Sequence, residues 1–167
     1  MSILTKIPVV LLFGLLTLAL PIPALHADDP PPLSAGQTVY VPVYSSVWHG
    51  NLNERGKPAE ILLSAMLSVR NTDPTYRMLL TSVKYYDTVG KLLREYLKEP
   101  QVINPMGTME FFVEHQEKKG GTGANFVVIW RAERPINQPI LETVQVYNWG
   151  TQAKAFVSRG QAIHLHE

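Results

Sequence analysis

The segment best suited to holding a ligand is Gly120-Gly121-Thr122-Gly123-Ala124-Asn125. Glycine lets the backbone take positive φ and lets another group approach closely. Successive amides in such a turn can form a nest for an anion. A phosphate loop would also need a lysine and then a helix. Neither follows, so nucleotide binding is not expected, and the plainer reading is a tight connection between two strands. Arg70-Asn71-Thr72-Asp73 gathers a cation, an amide, a hydroxyl and a carboxylate. It reads as a polar recognition loop at one end of the fold, or as a turn whose Asn and Asp side chains satisfy free backbone groups. Tyr86 and Asp87, just before the turn Thr88-Val89-Gly90-Lys91, join the candidate ligand or partner contacts.

His164 and His166 stand two apart, on one face if the segment is a strand, and with Glu167 could bind zinc or copper through imidazole nitrogen. Two ligands are too few for a site, and a polar C-terminus is the plainer reading. No metal or other cofactor is therefore expected. Catalysis finds little to build on. The motifs G-x-S-x-G and H-E-x-x-H are both absent. Glu110, Glu114 and Glu142 alternate with apolar residues, as solvent-facing strand positions do. An enzyme would need two or more of Asp73, Asp87, Glu110, Glu114 and His115 to meet in one cleft. The aromatics, Tyr40, Tyr44, Trp48, Tyr85, Tyr86, Tyr96, Trp130, Tyr147 and Trp149 among them, fit cross-strand pairs. An exposed stripe of them would instead bind a glycan, a peptide or a partner surface.

The elements that must position these residues are strands. Val39, Val41, Val43 and Val47 alternate with Tyr40, Tyr44 and Trp48, the pattern of a half-buried strand. Residues 61–70 fit a strand or a helical stripe, and the turn chemistry of Asn71-Thr72-Asp73-Pro74 favours the strand. Further strands are expected over 78–87, with Leu79, Val83 and Tyr85 on one face, and over 108–115, with Met109, Phe111 and Val113 inward. Phe126–Trp130, apolar on both sides, reads as a central strand covered on both faces. Ile140, Val144 and Val146 share a face in the next strand, and one or two last strands follow over 153–158 and 161–165. Residues 92–97 read as a strand with a helical turn as the alternative. Seven to nine short strands punctuated by turns predict an all-β sandwich in the immunoglobulin or fibronectin style, with a small barrel as the alternative.

Met1–Ala27 has the layout of a secretory signal peptide: a basic start at Lys6, an apolar run from Ile7 to Leu20, and a small-residue cleavage site before Asp28. Residues 28–37 form a proline-rich spacer and 38–167 a single domain. The chain carries 15 Lys+Arg and 14 Asp+Glu, and Lys6 is the one charge in the signal, so the exported part is formally neutral. It lacks the basic face of a nucleic-acid binder, and after signal cleavage it has no apolar stretch able to span a membrane. It contains no cysteine. That excludes disulfides, thiol nucleophiles, thiolate metal sites and a lipid anchor on a cleavage-site cysteine.

Four segments carry a family resemblance: Val39-Tyr40-Val41-Pro42-Val43-Tyr44-Ser45-Ser46, Leu67-Ser68-Val69-Arg70-Asn71-Thr72-Asp73, Tyr85-Tyr86-Asp87-Thr88 with Gly90-Lys91, and Gly120 to Phe126. Together they resemble a bacterial family of exported proteins known as the domain of unknown function numbered thirty-one twenty-four. The resemblance spans essentially the whole exported part. It implies an envelope location and no assigned activity. A weaker likeness, to the water-stress and late-embryogenesis fold, implies a fibronectin-like sandwich and no function.

The expectation is therefore a periplasmic or secreted, non-enzymatic binding or accessory domain for a protein or other envelope component. A small-ligand or metal-binding domain is the alternative, and an enzyme of unknown class the third.

Overall fold

The structure is a computed structural model, and it describes residues 30–150 and 152–164, with only the backbone at 149 and 152. Pro31–Glu167 forms one compact unit. The described residues form an all-β sandwich of twelve strands: β1 (Ser34–Pro42), β2 (Ser46–His49), β3 (Ala59–Leu62), β4 (Ser64–Arg70), β5 (Met78–Tyr86), β6 (Leu92–Glu95), β7 (Gln101–Ile103), β8 (Thr108–Val113), β9 (Asn125–Ile136), β10 (Ile140–Trp149), β11 (Gln152–Arg159) and β12 (Gln161–Ile163). The first sheet runs β12-β1-β9-β5-β6, with β7 also on β5, and the second runs β11-β10-β4-β8. β2 and β3 form a separate hairpin, and every pairing is antiparallel.

The core fills the space between the two sheets. Val39, Val41, Leu80, Val83, Phe126, Val128 and Trp130 come from the first, and Ala65, Leu67, Val69, Phe111, Val113 and Leu141 from the second. Burial of these β-branched and aromatic side chains drives the sheets together, and the period-two pattern chooses which face of each strand is buried.

Some local readings are corrected and others hold. The first strand begins at Ser34, inside the segment read as a spacer, because Ser34 pairs with Ile136 of β9. Residues 61–70 are strand, but the ladder breaks at Leu63, whose amide donates to the Ser45 carbonyl. The strand read over 92–97 is present over 92–95, and the helical-turn alternative is not.

In β5 the inward set is Met78, Leu80, Val83 and Tyr85, and Leu79 points the other way. The cause is an irregularity between Leu80 and Ser82, where one extra residue shifts the period. Glu95 secures it by accepting from the Val83 amide at 2.9 Å and the Ser82 hydroxyl at 3.0 Å. β9 is central as expected, but its outer residues Val127 and Ile129 are only half-buried, with no third layer over them among the described residues.

β10 is the largest surprise. The face shared by Ile140, Val144 and Val146 is its solvent face, while Leu141, Thr143 and Gln145 are buried. The buried polar pair is tied to β1: Gln145 donates to the Thr143 hydroxyl at 2.7 Å, and that hydroxyl donates to the Pro42 carbonyl at 2.6 Å. Periodicity placed the alternation correctly, and this cross-sheet link decided its sign.

Candidate functional site

The two predicted loops lie at opposite ends of the sandwich. β5 connects them: the 71–77 loop enters at Met78 and the 87–91 turn leaves after Tyr86. Nine residues of strand separate the ends by roughly 27 Å. Arg70, Asn71 and Asp73 therefore cannot share a site with Tyr86, Asp87, Gly120, Gly121, Gly123 and Asn125.

At the first end the polar groups are consumed by the fold. The buried Asn71 amide donates to the carbonyls of Tyr76 at 2.8 Å, Asn104 at 3.1 Å and Ile103 at 3.3 Å, and its oxygen accepts from the Asp73 amide at 3.0 Å. Asp73 Oδ1 accepts from the Thr75 and Tyr76 amides at 2.9 and 2.8 Å, and Oδ2 from the Asn137 amide at 3.1 Å. Arg70 turns away onto the outer face of the second sheet, 3.3 Å from Glu142. The loop is the side-chain-capped turn.

Hydrogen bonds from the Thr75 and Tyr76 amides hold the Asp73 carboxyl below its ordinary range, with burial opposing and Asn137 assisting. Its folded-state pKa is thus depressed relative to the unfolded chain. The stability it contributes is present above the unfolded value of about 4 and is lost as pH falls through the folded value. Asp73→Asn is expected to lower the melting temperature at neutral pH, with the gap to the native protein closing as pH falls below the ordinary carboxylate range. Thermal melts across that acid range check this. A gap that stays constant with pH would show that the Asp73 charge does not stabilise the loop.

At the second end the glycine turn is a 3-10 turn, Gly121–Gly123. The anion held at its start is the chain's own. Glu117 accepts from the Gly120 amide at 2.9 Å, the Lys119 amide at 2.6 Å and the Tyr85 hydroxyl at 2.9 Å. Burial, followed by the neighbouring Glu117, pushes the Tyr85 hydroxyl well above the ordinary tyrosine range, so it stays a donor. Thr88 closes the turn: its hydroxyl donates to the Gly120 carbonyl at 2.8 Å and accepts from the Gly123 amide at 3.0 Å.

Gly121 uses positive φ, at 74°. Gly120 is helical in φ and ψ, and its need is for space: a Cβ there would land on the Tyr85 hydroxyl and lie 2.9 Å from the Ser45 hydroxyl oxygen. Asp87 caps the 87–91 turn, accepting from the Val89 and Lys91 amides at 3.0 and 2.8 Å. Tyr86 and Asn125 pair backbone to backbone and are half-buried.

Three of the acid–base candidates are well apart. Asp73 and Asp87 occupy opposite ends, and Glu110 lies on the outer face of the second sheet. Among the described residues no three His, Asp or Glu side chains approach closely enough to hold a metal ion. His164 opens onto a shallow groove beside Thr38, Arg131 and Gln138, which offers a cation and no carboxylate. His166 lies outside the described residues.

The β2–β3 hairpin leaves the sandwich at the second end, where β2 contacts the 3-10 turn. It carries Trp48, 66% exposed, and Leu52, 68% exposed. Its tip is stiff. Asn53 Oδ1 accepts from the Arg55 and Lys57 amides at 2.9 and 3.1 Å, the Asn53 amide donates to the Lys57 carbonyl, and Gly56 takes φ 70°. The sequence reading ran Val47 and Trp48 on from the first strand, whereas β2 is a separate strand and the polar loop after it turns back into β3. The signal for its strands was Val47-Trp48 facing Ile61-Leu62 across that loop.

The family described as "Protein of unknown function (DUF3124)" matches residues 36–163. The chain belongs to this family. The matched span of DUF3124 runs from β1 through β12 and contains both loop ends and the hairpin. No curated protein matches the chain. A solved structure described as "Crystal Structure of Thermotoga maritima 1070" is similar at 8% identity and a TM-score of 0.40, covering 75% of this chain and 92% of that one. No described helix of this DUF3124 member is long and apolar enough to cross a membrane.

Proposed function

We propose that this DUF3124 protein is an exported, periplasmic or secreted envelope protein whose domain is a non-enzymatic binding or accessory module for a protein partner. One observation carries the reading. The polar residues able to do chemistry at the two loop ends are engaged in holding the fold, while a rigid hairpin holds Trp48 and Leu52 out in solvent. Tryptophan is among the residues most enriched at binding hot spots, and a stiff tip loses little conformational entropy on docking. The signal layout of Met1–Ala27 supports export.

The test compares affinity capture from cell envelopes by the native protein and by Trp48→Ala/Leu52→Ala. Both positions are exposed, so the variant should melt as the native protein does. A partner held through this tip should be lost, with a drop in affinity of about a hundredfold. Capture of the same partner at unchanged strength would refute the assignment of the tip. A precursor that keeps residues 1–27 in the cytoplasm would refute export.

A further inference from the structure

The outer face of the second sheet carries an apolar row where a monomer would place polar residues. Val157, Val144, Met66 and Phe112 stand side by side across β11, β10, β4 and β8. Phe112 is 56% exposed and Val157 53%, and Ile140 and Val146 of the same β10 face are also exposed. One step along the strands lies a second row, Arg159, Glu142, Ser68 and Glu110. Within it Glu142 is already matched by Arg70 at 3.3 Å. That leaves a cation at the β11 edge and an anion at the β8 edge, neither in an ion pair among the described residues.

We infer that this face docks a second copy of the same chain, sheet against sheet, about a two-fold axis parallel to the strands. Such an axis keeps each row opposite itself and exchanges its two ends. The apolar row then meets its own copy, Val157 against Phe112 of the partner subunit and Val144 against Met66 of the partner subunit. In the next row Arg159 meets Glu110 of the partner subunit, and symmetry makes that contact twice. The charges at the two ends of one row are thus self-complementary. A two-fold axis across the strands fails this test, because it lays the charged row over the opposite side of the apolar one, where Val146 and Ala155 lie, and buried charge without a partner is costly.

The size is also right for a reversible dimer. Four strands about 4.8 Å apart, with three two-residue steps along them, give a face of roughly 20 by 20 Å, or about 400 Å² in projection. Side-chain relief raises the accessible area above that, toward but not beyond the roughly 800 Å² per partner of a standard interface. An interface at or below standard size fits a dimer that dissociates on dilution.

Sedimentation velocity on the chain from Asp28 onward, over a wide concentration range, tests this, because that chain contains the whole compact unit. The native protein should pass from monomer to dimer. Arg159→Glu and Glu110→Arg should each weaken the dimer by about tenfold or more, since like charges then face each other twice. The double reversal Arg159→Glu/Glu110→Arg should restore it. Phe112→Lys should abolish it. All three positions are solvent-exposed, and an unchanged melting curve confirms that each variant folds.

Three results would overturn the proposal. They are a monomer at every concentration, a dimer indifferent to the single reversals (as edge-to-edge strand pairing would be), or single losses that the double reversal does not repair. The inference is independent of the hairpin, so Trp48→Ala/Leu52→Ala should leave the dimer unchanged.

Discussion

Gly120→Ala is expected to destabilise the domain by about 2–3 kcal/mol, the range of forced overpacking in a well-filled site, which for a domain of this size is a fall in melting temperature of about 10 °C. The added methyl has no room. It would strike the Tyr85 hydroxyl and crowd Ser45, and moving Tyr85 breaks its bond to Glu117. Tyr85→Phe removes the struck atom. By itself it should cost about 1 kcal/mol, the ordinary worth of one such hydrogen bond. In the double variant Tyr85→Phe/Gly120→Ala, the penalty of the alanine should shrink but not vanish, because the ring carbon that carries the hydroxyl also lies close to the added methyl, at 2.9 Å. Denaturant melts of the four proteins form a double-mutant cycle. Strict additivity would mean that Gly120 is required for a reason other than the Tyr85 contact.

Asn71→Ala should cost about 3 kcal/mol, because removing one side chain strands several buried partners at once. Three carbonyls lose their donor and the Asp73 amide loses its acceptor. Asn71→Asp is the sharper variant. It preserves shape but turns a carboxylate oxygen toward three carbonyl oxygens, so at neutral pH it should be at least as damaging. If Asn71 were a contact for an outside ligand, both changes would leave the melting curve of the isolated protein in place. Unchanged stability would therefore restore the recognition-loop reading of residues 70–73.

The strands were legible because alternation of Val, Ile, Tyr and Phe with polar residues is a local signal. β1, β5, β8 and β9 were all found by it. What it could not supply was set by groups distant in sequence. The side of β10 that faces inward depends on Thr143 reaching the Pro42 carbonyl, and nothing in residues 140–149 announces that bond. The shifted period of β5 depends on Glu95 holding an irregular backbone. The small hairpin strands raised the count to twelve, beyond the seven to nine expected.

The candidate residues were recognised as special, and of the two roles weighed for them, ligand contact and turn building, the contacts seen here are those of turn building. Asn71, Asp73, Asp87 and the glycines do meet demanding requirements, and those requirements belong to the fold. Gly120 was read as allowing a ligand to approach, and the group that approaches is Tyr85. The anion expected in the glycine turn is Glu117. Trp48 was visible as one aromatic among many. Its exposure could not be read locally, because Tyr44, four residues earlier on the same strand pattern, packs against Phe156 at 5.7 Å.

The most direct measurement is photocrosslinking in intact cells from a reactive residue placed at position 48, with position 102 of the short edge strand β7, also exposed, as the control. A binding module that works through its hairpin predicts one dominant protein adduct from position 48, none from position 102, and loss of the adduct when Leu52 is also replaced by alanine. A folded, exported protein that gives no adduct from position 48, or the same adducts from both positions, would contradict the account.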